Sequence, residues 1–388
     1  MSAASKQLNL FDATMLVMGG IIGVGIFFKP HGVAQIVPEP VPYFCVWALG
    51  ALAALAGAMT FAELAGTFPR TGGWYVFLRE GLGGFPAFLF AWIVLLVIST
   101  GACAAVADFG AERIQNLAGL DTQSVFQRRA IAAVLILAIT GVAWTGIKSS
   151  TVVQNLCMVA KLTAIGTLVV AGLLFFSDIP LQSVPTTPPT SPLAGRMITA
   201  TLPVLFTFGG WQLVTYIAPH VRDPQRTLPR AIVLGVAGVG VIYLSLNAAF
   251  VRVLGMGALA DMQDVAAPLA SRALGPRGAI FLELAMAVSA MGFLVATILA
   301  TPGIYVAMAR EGLFLEAVGR TNSATGAPRV ALSIQAAICL CYLALSSNVR
   351  DDLADAVVFG EWIFHCLVGL ALLRLRHVRP ELPRPFRS

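Results

Sequence analysis

Charge is scarce in this sequence of 388 residues. Only 11% of the residues are charged, whereas 58% are hydrophobic. The mean hydropathy of +0.84 is far above the range of water-soluble domains. The formal net charge of +6 does not indicate a nucleic-acid partner, because the basic residues lie in short segments between apolar runs. The composition therefore predicts an integral membrane protein that binds no nucleic acid.

Sequence signals of enzymes and metal sites are also missing. The four histidines are dispersed, and there is no H-E-x-x-H motif, phosphate-binding G-x-x-x-x-G-K loop or nucleophile elbow. All six cysteines fall within apolar segments, which favours buried small side chains over a disulfide framework or a metal cluster. No removable signal peptide is expected at the start of the chain, and Asp12 is expected to cap the first helix. We therefore expect no catalytic residues, no cofactor and no metal.

Long apolar segments dominate what is present. Ten of them reach the roughly 20 residues that a transmembrane helix needs, and no period-two pattern suggests a β-barrel. These predicted spans cover residues 11–36, 42–66, 84–111, 129–147, 150–177, 196–218, 229–254, 278–309, 329–347 and 353–374. With the N-terminus inside, fifteen of the 25 Lys and Arg residues fall on the cytoplasmic side and eight on the other. The sequence thus predicts an all-α polytopic protein with both termini in the cytoplasm.

A Pro/Thr-rich segment divides the chain into two halves of five spans. The predicted parts are a first repeat (1–177), an extracytoplasmic loop (178–194), a second repeat (195–376) and a cytoplasmic tail (377–388). Because each half has an odd number of spans, the second half must enter the membrane from the opposite side. This is the arrangement of an inverted repeat.

The first and sixth spans, which correspond in the two halves, both carry glycines in their middle. Gly23 and Gly25 flank Val24 in the first, and Gly209 and Gly210 are adjacent in the sixth. Each glycine costs a helix about 1 kcal/mol relative to alanine, so both spans are expected to be interrupted. Unwound backbone at membrane depth has to line a cavity or meet a ligand. The alternative is that the glycines allow close helix packing, but two matching positions favour a binding site.

Several motifs resemble those of the amino acid-polyamine-organocation superfamily, in particular the bacterial relatives of the L-type amino acid transporters. They lie in the same order over nearly the whole chain. They are "GIIGVGIFFKPHGVA" in the first span, "FAELAGTFPRTGGWYVFLREGLG" at 61–83, "FTFGGWQLVTYIAPHVRDPQRTLPRAI" at 206–232, "YVAMAREGLF" at 305–314 and "RPELPRPFR" at 379–387.

The resemblance implies a LeuT-like fold of two inverted five-helix repeats and amino acid transport by alternating access in a bacterial inner membrane. This sequence provides ten spans where the family usually has twelve. The loop between the third and fourth spans lacks the cysteine by which animal relatives attach a heavy subunit, so no disulfide-linked partner is expected. The implied partners are a small amino acid and the lipid bilayer, and the oligomeric state is left open.

The two interruptions supply the predicted substrate site. Freed N–H groups of Gly23, Val24, Gly25 and Ile26, at the positive start of a half-helix, suit a carboxylate. Freed carbonyls near Phe206 and Phe208 suit an ammonium group, and Gly209 and Gly210 form the second break. By resemblance Phe206 is the aromatic gate over the substrate. Phe208 and Trp211 are expected to help line the pocket.

Ionisable residues inside predicted spans are functional candidates. Lys161 lies mid-span, where its ammonium is expected to meet carbonyl oxygens or a carboxylate. By resemblance it replaces the sodium ion of sodium-coupled LeuT-like transporters, which implies sodium-independent transport. Glu361 and His365 are four residues apart on one helix face, and they are candidates for proton movement or substrate selectivity. A satisfied pair at the water interface is the alternative.

The sequence thus predicts a secondary transporter, with neutral amino acids favoured as substrates and with exchange and proton coupling both open. A carrier of cationic amino acids or polyamines is the alternative, and Glu361 facing the pocket would favour it. A non-transporting membrane receptor or scaffold that retains the ligand pocket is a second alternative.

Overall fold

The computed structural model describes residues 7–174, 191–262, 265–346 and 349–388. Nearly all the regular secondary structure in these residues is helical. One isolated β-bridge pairs Leu8 with Val221. Residues 1–6 and most of the predicted loop at 178–194, namely 178–190, lie outside the described residues.

The helices of the first half follow the predicted spans closely. They are α1 (Leu10–Ile21), α2 (Lys29–Ile36), α3 (Pro40–Thr67), α4 (Trp74–Leu82), α5 (Gly84–Ile93), α6 (Ser99–Ala118), α7 (Val125–Trp144) and α8 (Ile147–Leu174). A π-helical turn, Val94–Ile98, joins α5 to α6 in one long apolar segment. The short helix α4 lies between the second and third predicted spans.

Most helices of the second half also overlap predicted spans, and one short helix lies between the seventh and eighth of them. They are α9 (Leu193–Thr207), α10 (Leu213–Tyr216), α11 (Pro224–Asp261), α12 (Ala266–Leu274), α13 (Gly278–Ala300), α14 (Pro302–Arg310), α15 (Arg329–Leu345) and α16 (Val349–Val378). The long helix α11 is kinked at Gly255, whose φ of +77° is not helical.

Six of the described helical segments are long and apolar enough to cross a membrane: α3, α5 with α6, α7, α8, α11 and the segment Gly275–Arg310 that contains α13 and α14. Helices α1, α9 and α15 are apolar but shorter. Large apolar side chains such as Phe126 and Leu345 are more than four-fifths exposed, which suits contact with lipid. The chain is therefore an all-α integral membrane protein.

Both predicted interruptions are present. Helix α1 ends at Ile21, a single 3₁₀ turn covers Gly25–Phe27, and α2 restarts at Lys29 with Pro30 in its first turn. Helix α9 ends at Thr207, and α10 does not begin until Leu213. Proline suits the restart, since the first N–H groups of a helix have no intrahelical acceptor. The prediction that the first and sixth spans are broken is confirmed.

Two smaller expectations from the sequence are wrong. Asn9, not Asp12, caps α1: the Asn9 side chain accepts from the N–H of Asp12, and the Asp12 carboxylate accepts from the N–H of Asn9. Only Cys103 and Cys339 are fully buried, whereas three of the other cysteines are exposed on the outside of helices. An apolar segment in lipid has no need to bury all its faces, so the composition of a segment does not determine which residues point inward.

Helix packing places both interruptions inside the bundle. Helix α11 packs against α3, α1 and α8, and α13 packs against α6 and α8. Helix α9 lies against α3 and α2. The broken segments are thereby surrounded by α8, α11, α13 and α16, which carry the polar side chains described below.

Candidate functional site

The two interruptions touch through bare main chain at Gly20 and Gly210. A Cβ on Gly210 would stand 2.2 Å from the carbonyl oxygen of Gly20, and a Cβ on Gly20 would stand 2.7 Å from that of Gly210. Gly210 also has a φ of +114°, which L-amino acids rarely adopt. The contact therefore requires glycine at both positions.

A cavity of about 270 Å³ lies between the interruptions. Its wall is largely apolar, with main-chain groups of both breaks and side chains of α6, α13 and α16. Seven of the residues predicted for the site line it: Gly23, Val24, Gly25, Phe206, Gly209, Gly210 and Glu361. A largely apolar cavity with a few convergent polar groups is the usual form of a small-molecule site.

Phe206 connects the two breaks at the cavity wall. Its ring would lie 3.5 Å from a Cβ on Gly25, and the Nζ of Lys29 is 4.8 Å from the ring centroid. The side chain is about one-third exposed, which is compatible with movement. The expected gating role of Phe206 stays a prediction.

Five predicted residues lie behind the cavity wall rather than on it, and Lys161 is one of them. Ile26 is fully buried, and the Phe208 ring packs 5.0 Å from that of Tyr243. Trp211 and His365 pack together with ring centroids 5.0 Å apart. Because successive helical residues are rotated by about 100°, Phe206 and Phe208 point in nearly opposite directions. The motif alone does not reveal which of them faces the cavity.

The carbonyls freed by the first break are held by donors from two other helices. The Lys161 ammonium of α8 donates a hydrogen bond to the carbonyl of Ile22, and the lysine is 1% exposed. The Ser289 hydroxyl of α13 donates to the carbonyl of Gly23 at 2.9 Å. Lys161 thus meets a carbonyl beside the first break, which is one of the two kinds of partner that the sequence predicts, and it lies outside the cavity wall.

Tyr243 of α11 approaches both breaks, although no sequence motif points to this residue. Its hydroxyl lies 3.3 Å from the carbonyl of Ile21 and 3.1 Å from that of Thr207, the last residues of α1 and α9. Its single proton can be donated to either carbonyl. A tyrosine inside an apolar helix needs a hydrogen-bond partner for its hydroxyl, and this need is the one sequence feature that could indicate such a contact.

The second break is connected to a carboxylate through a glutamine side chain. The Gly210 N–H donates to Oε1 of Gln212 at 3.2 Å, and Nε2 of Gln212 donates to Oε1 of Glu361 at 2.6 Å. Oε2 of Glu361 would lie 3.4 Å from a Cβ on Gly209. Glu361 therefore stands directly beside the unwound backbone, at the cavity wall.

His365 shares a helix with Glu361 but has different surroundings. Its Nδ1 lies 2.9 Å from the carbonyl of Glu361, and its ring is packed among Trp74, Trp211 and Phe61 at 4.4, 5.0 and 5.5 Å. The predicted pair is therefore divided: the carboxylate reaches the cavity, while the imidazole packs with aromatic rings behind it.

Main-chain hydrogen bonds join separate segments at the end of the bundle near α4 and α10. The Gly72 N–H donates to the carbonyl of Tyr216 at 3.1 Å, and the N–H groups of Gln7 and Leu8 both donate to the carbonyl of His220. Burial lowers the pKa of His220, and the nearby charge of Arg310 acts in the same direction. These main-chain contacts hold the segments at this end of the bundle together.

Fold and cavity together define a helical membrane protein with a cavity of small-molecule size between two broken helices. The amino acid permease family profile matches residues 8–388, and the chain belongs to that family. The family consists of transporters, so the chain is a permease and not an enzyme.

Named relatives extend along the whole chain. The b(0,+)-type amino acid transporter 1 of Mus musculus is 28% identical, over 100% of this chain and 79% of its own length. The serine/threonine exchanger SteT of Bacillus subtilis is 30% identical, over 96% of this chain and 83% of its own. The large neutral amino acids transporter small subunit 2 of Homo sapiens is 27% identical, over 99% of this chain and 72% of its own.

Proposed function

We propose that this permease is a sodium-independent secondary transporter of amino acids that works by alternating access around the two broken helices. The observation that carries the proposal is the cavity between two stretches of unwound main chain, α1–α2 and α9–α10. The proposal includes a LeuT-like fold with residues 1–177 and 195–376 as inverted five-helix repeats of a ten-span chain. It also includes a bacterial inner membrane with both termini inside.

The main chain of the breaks suits the groups that all α-amino acids share. Gly25 and Ile26 begin a helical turn, where N–H groups precede the first intrahelical acceptor and the dipole favours an anion. The carbonyls that end α9 favour an ammonium group. Neutral and cationic amino acids share these two groups, and the largely apolar wall suits the neutral side chains that the sequence favours.

Lys161 supports sodium independence. Its ammonium already donates a hydrogen bond to the carbonyl of Ile22, beside the first break. Without this lysine, a coupling cation would be needed to bind that carbonyl. A fixed positive charge at this place holds the break without a bound metal ion. Exchange and proton symport are both compatible with this arrangement.

The second candidate is a cationic substrate, and one observation favours it: Glu361 lines the cavity. The consequences of that carboxylate are developed in the next subsection. A receptor or scaffold that binds without transport remains the third candidate. No disulfide-linked heavy subunit is part of the proposal.

Counterflow in proteoliposomes tests the proposed function. Vesicles loaded with an unlabelled amino acid should accumulate the same radiolabelled amino acid, equally in sodium and in choline buffer. Protein-free vesicles are the control. Binding without counterflow would favour the receptor, and accumulation that requires sodium would contradict the role of Lys161.

A further inference from the structure

The cavity wall carries one formal charge. Glu361 is the one Asp, Glu, Lys or Arg side chain among the described residues that line it. The two lysines nearest to the first break do not offset this charge in the cavity. The Lys161 ammonium bonds the carbonyl of Ile22 behind the wall, and that of Lys29 lies over the ring of Phe206.

The Glu361 carboxylate is held in place but is not fully used. Gln212 is itself oriented by the N–H of Gly210, and it occupies Oε1 of the carboxylate. In the described part of the chain Oε2 accepts no hydrogen bond. Gly209, which has no side chain, leaves room for that oxygen beside the second break. One carboxylate oxygen is thus available to a ligand.

A neutral amino acid would leave this charge unbalanced. Its own carboxylate and ammonium are matched by the main chain of the breaks, so the bound complex would retain one uncompensated negative charge away from water. Such a charge is costly in a low-dielectric environment. A substrate with a second cationic group would neutralise it through a charge-assisted hydrogen bond.

On the basis of the proposed function, we infer that Glu361, positioned by Gln212, is the subsite for the side-chain cation of the substrate. The preferred substrates are cationic α-amino acids. Neutral amino acids of the same shape lack the group that Oε2 binds.

Lysine, norleucine and cadaverine test this inference with closely matched ligands. Norleucine is close to lysine in shape but lacks the ε-ammonium, and cadaverine lacks the carboxylate. Dissociation constants are measured by competition against radiolabelled L-lysine, with the full-length protein in lipid nanodiscs at constant pH and ionic strength. Lysine is expected to bind about tenfold or more tightly than norleucine, since hydrogen bonds between charged groups reach this strength. Cadaverine is expected to bind more weakly than lysine.

Glu361→Gln should reduce the preference for lysine over norleucine to about one, mainly by weakening lysine. Glu316→Gln is the matched control, because Glu316 is exposed, pairs with Arg320 and lies far along the chain from both breaks. This control should leave the ratio unchanged. If Glu361→Gln does not fold, the wild-type ratio still decides the question.

Equal or tighter binding of norleucine by the wild type would overturn the inference, as would an unchanged preference in Glu361→Gln. Cadaverine binding as tightly as lysine would indicate a diamine carrier instead. Absence of binding and counterflow for every amino acid, cationic or neutral, would instead contradict the proposed function itself.

Discussion

At the first interruption, donors meet carbonyls: Lys161 bonds Ile22 and Ser289 bonds Gly23. At the second interruption, side-chain oxygens accept hydrogen bonds: the N–H of Gly210 donates to Gln212, and the side-chain amide of Gln212 donates to Glu361. The cation lies behind the cavity wall and the anion lies on it. This difference supports the proposals that Lys161 holds the backbone and that Glu361 binds a ligand.

The two breaks also share contacts. Gly20 and Gly210 bring their main chains together, and Tyr243 lies within hydrogen-bond reach of the last carbonyls of both α1 and α9. Near the start of α9, Arg196 donates to the carbonyl of Ile36, the last residue of α2, and to the carboxylate of Glu39. These shared contacts allow the two breaks to be tested together and separately.

The largest effect is expected where the breaks touch. Gly210→Ala places a Cβ 2.2 Å from the carbonyl oxygen of Gly20 at a φ of +114°. We expect a loss of about 2–4 kcal/mol in stability and of nearly all counterflow. Thermal unfolding in detergent and counterflow provide the measurements. Gly166→Ala is the control, since a Cβ there meets nothing within 4 Å. Normal counterflow in Gly210→Ala would show that the contact is dispensable.

Removal of Lys161 should come next. Lys161→Ala and Lys161→Met leave the carbonyl of Ile22 without its donor, and a hydrogen bond to a charged group is worth about 1.5–3 kcal/mol. We expect counterflow to fall about 10- to 100-fold in both variants.

Lys148→Ala is the matched control, because Lys148 is an exposed lysine of the same helix, α8. Full transport by Lys161→Ala would remove Lys161 from the mechanism. Recovery of counterflow by Lys161→Ala in sodium buffer would sharpen the comparison of the two breaks, because the sodium ion would then replace the ammonium at the first break only.

Loss of the shared hydroxyl should have a moderate effect on both breaks. Tyr243→Phe removes the group that lies near the carbonyls of Ile21 and Thr207, at a cost of about 1 kcal/mol. We expect amino acid affinity in the binding assay to fall about fivefold. Tyr342→Phe removes a similar tyrosine–carbonyl bond, to Leu96, and should leave affinity unchanged. Equal effects of the two substitutions would argue against a special role for Tyr243.

The smallest effect is expected at the ion pair between Glu39 and Arg196, which lies just before α3. The hydrogen bond from Arg196 lowers the pKa of Glu39. A carboxyl with a lower pKa in the folded state stabilises above its unfolded pKa, and this contribution is lost as the pH falls through the folded pKa.

Glu39→Gln should therefore cost less than about 1 kcal/mol at neutral pH, and its difference from the wild type should shrink below pH of about 4.5. Melting temperature as a function of pH measures this. The control is Glu381→Gln, at an exposed glutamate that forms no ion pair with the described residues. A difference that grows towards acid pH would contradict the assignment.

Helix interruptions were predictable because their causes are local. Glycine at 23, 25, 209 and 210 weakens the helix wherever it lies, and a mid-span lysine needs an oxygen partner in any arrangement of helices. The contacts of Lys161 fit that expectation. Positions of side chains around the cavity were harder to predict, because they depend on the rotation of each helix against its neighbours.

The sequence by itself determined the class of protein, the two interruptions, between α1 and α2 and between α9 and α10, and the need of Lys161 for an oxygen partner. Hydrophobic length, glycine content and the cost of an unpaired charge do not depend on distant residues. Only the tertiary structure decided that Glu361 reaches the cavity while His365 packs among aromatic rings, that Phe208 and Trp211 lie behind the wall, and that Tyr243 approaches both breaks. These outcomes depend on contacts between residues far apart in the chain, because the rotation of each helix against its neighbours decides which side chains face the cavity.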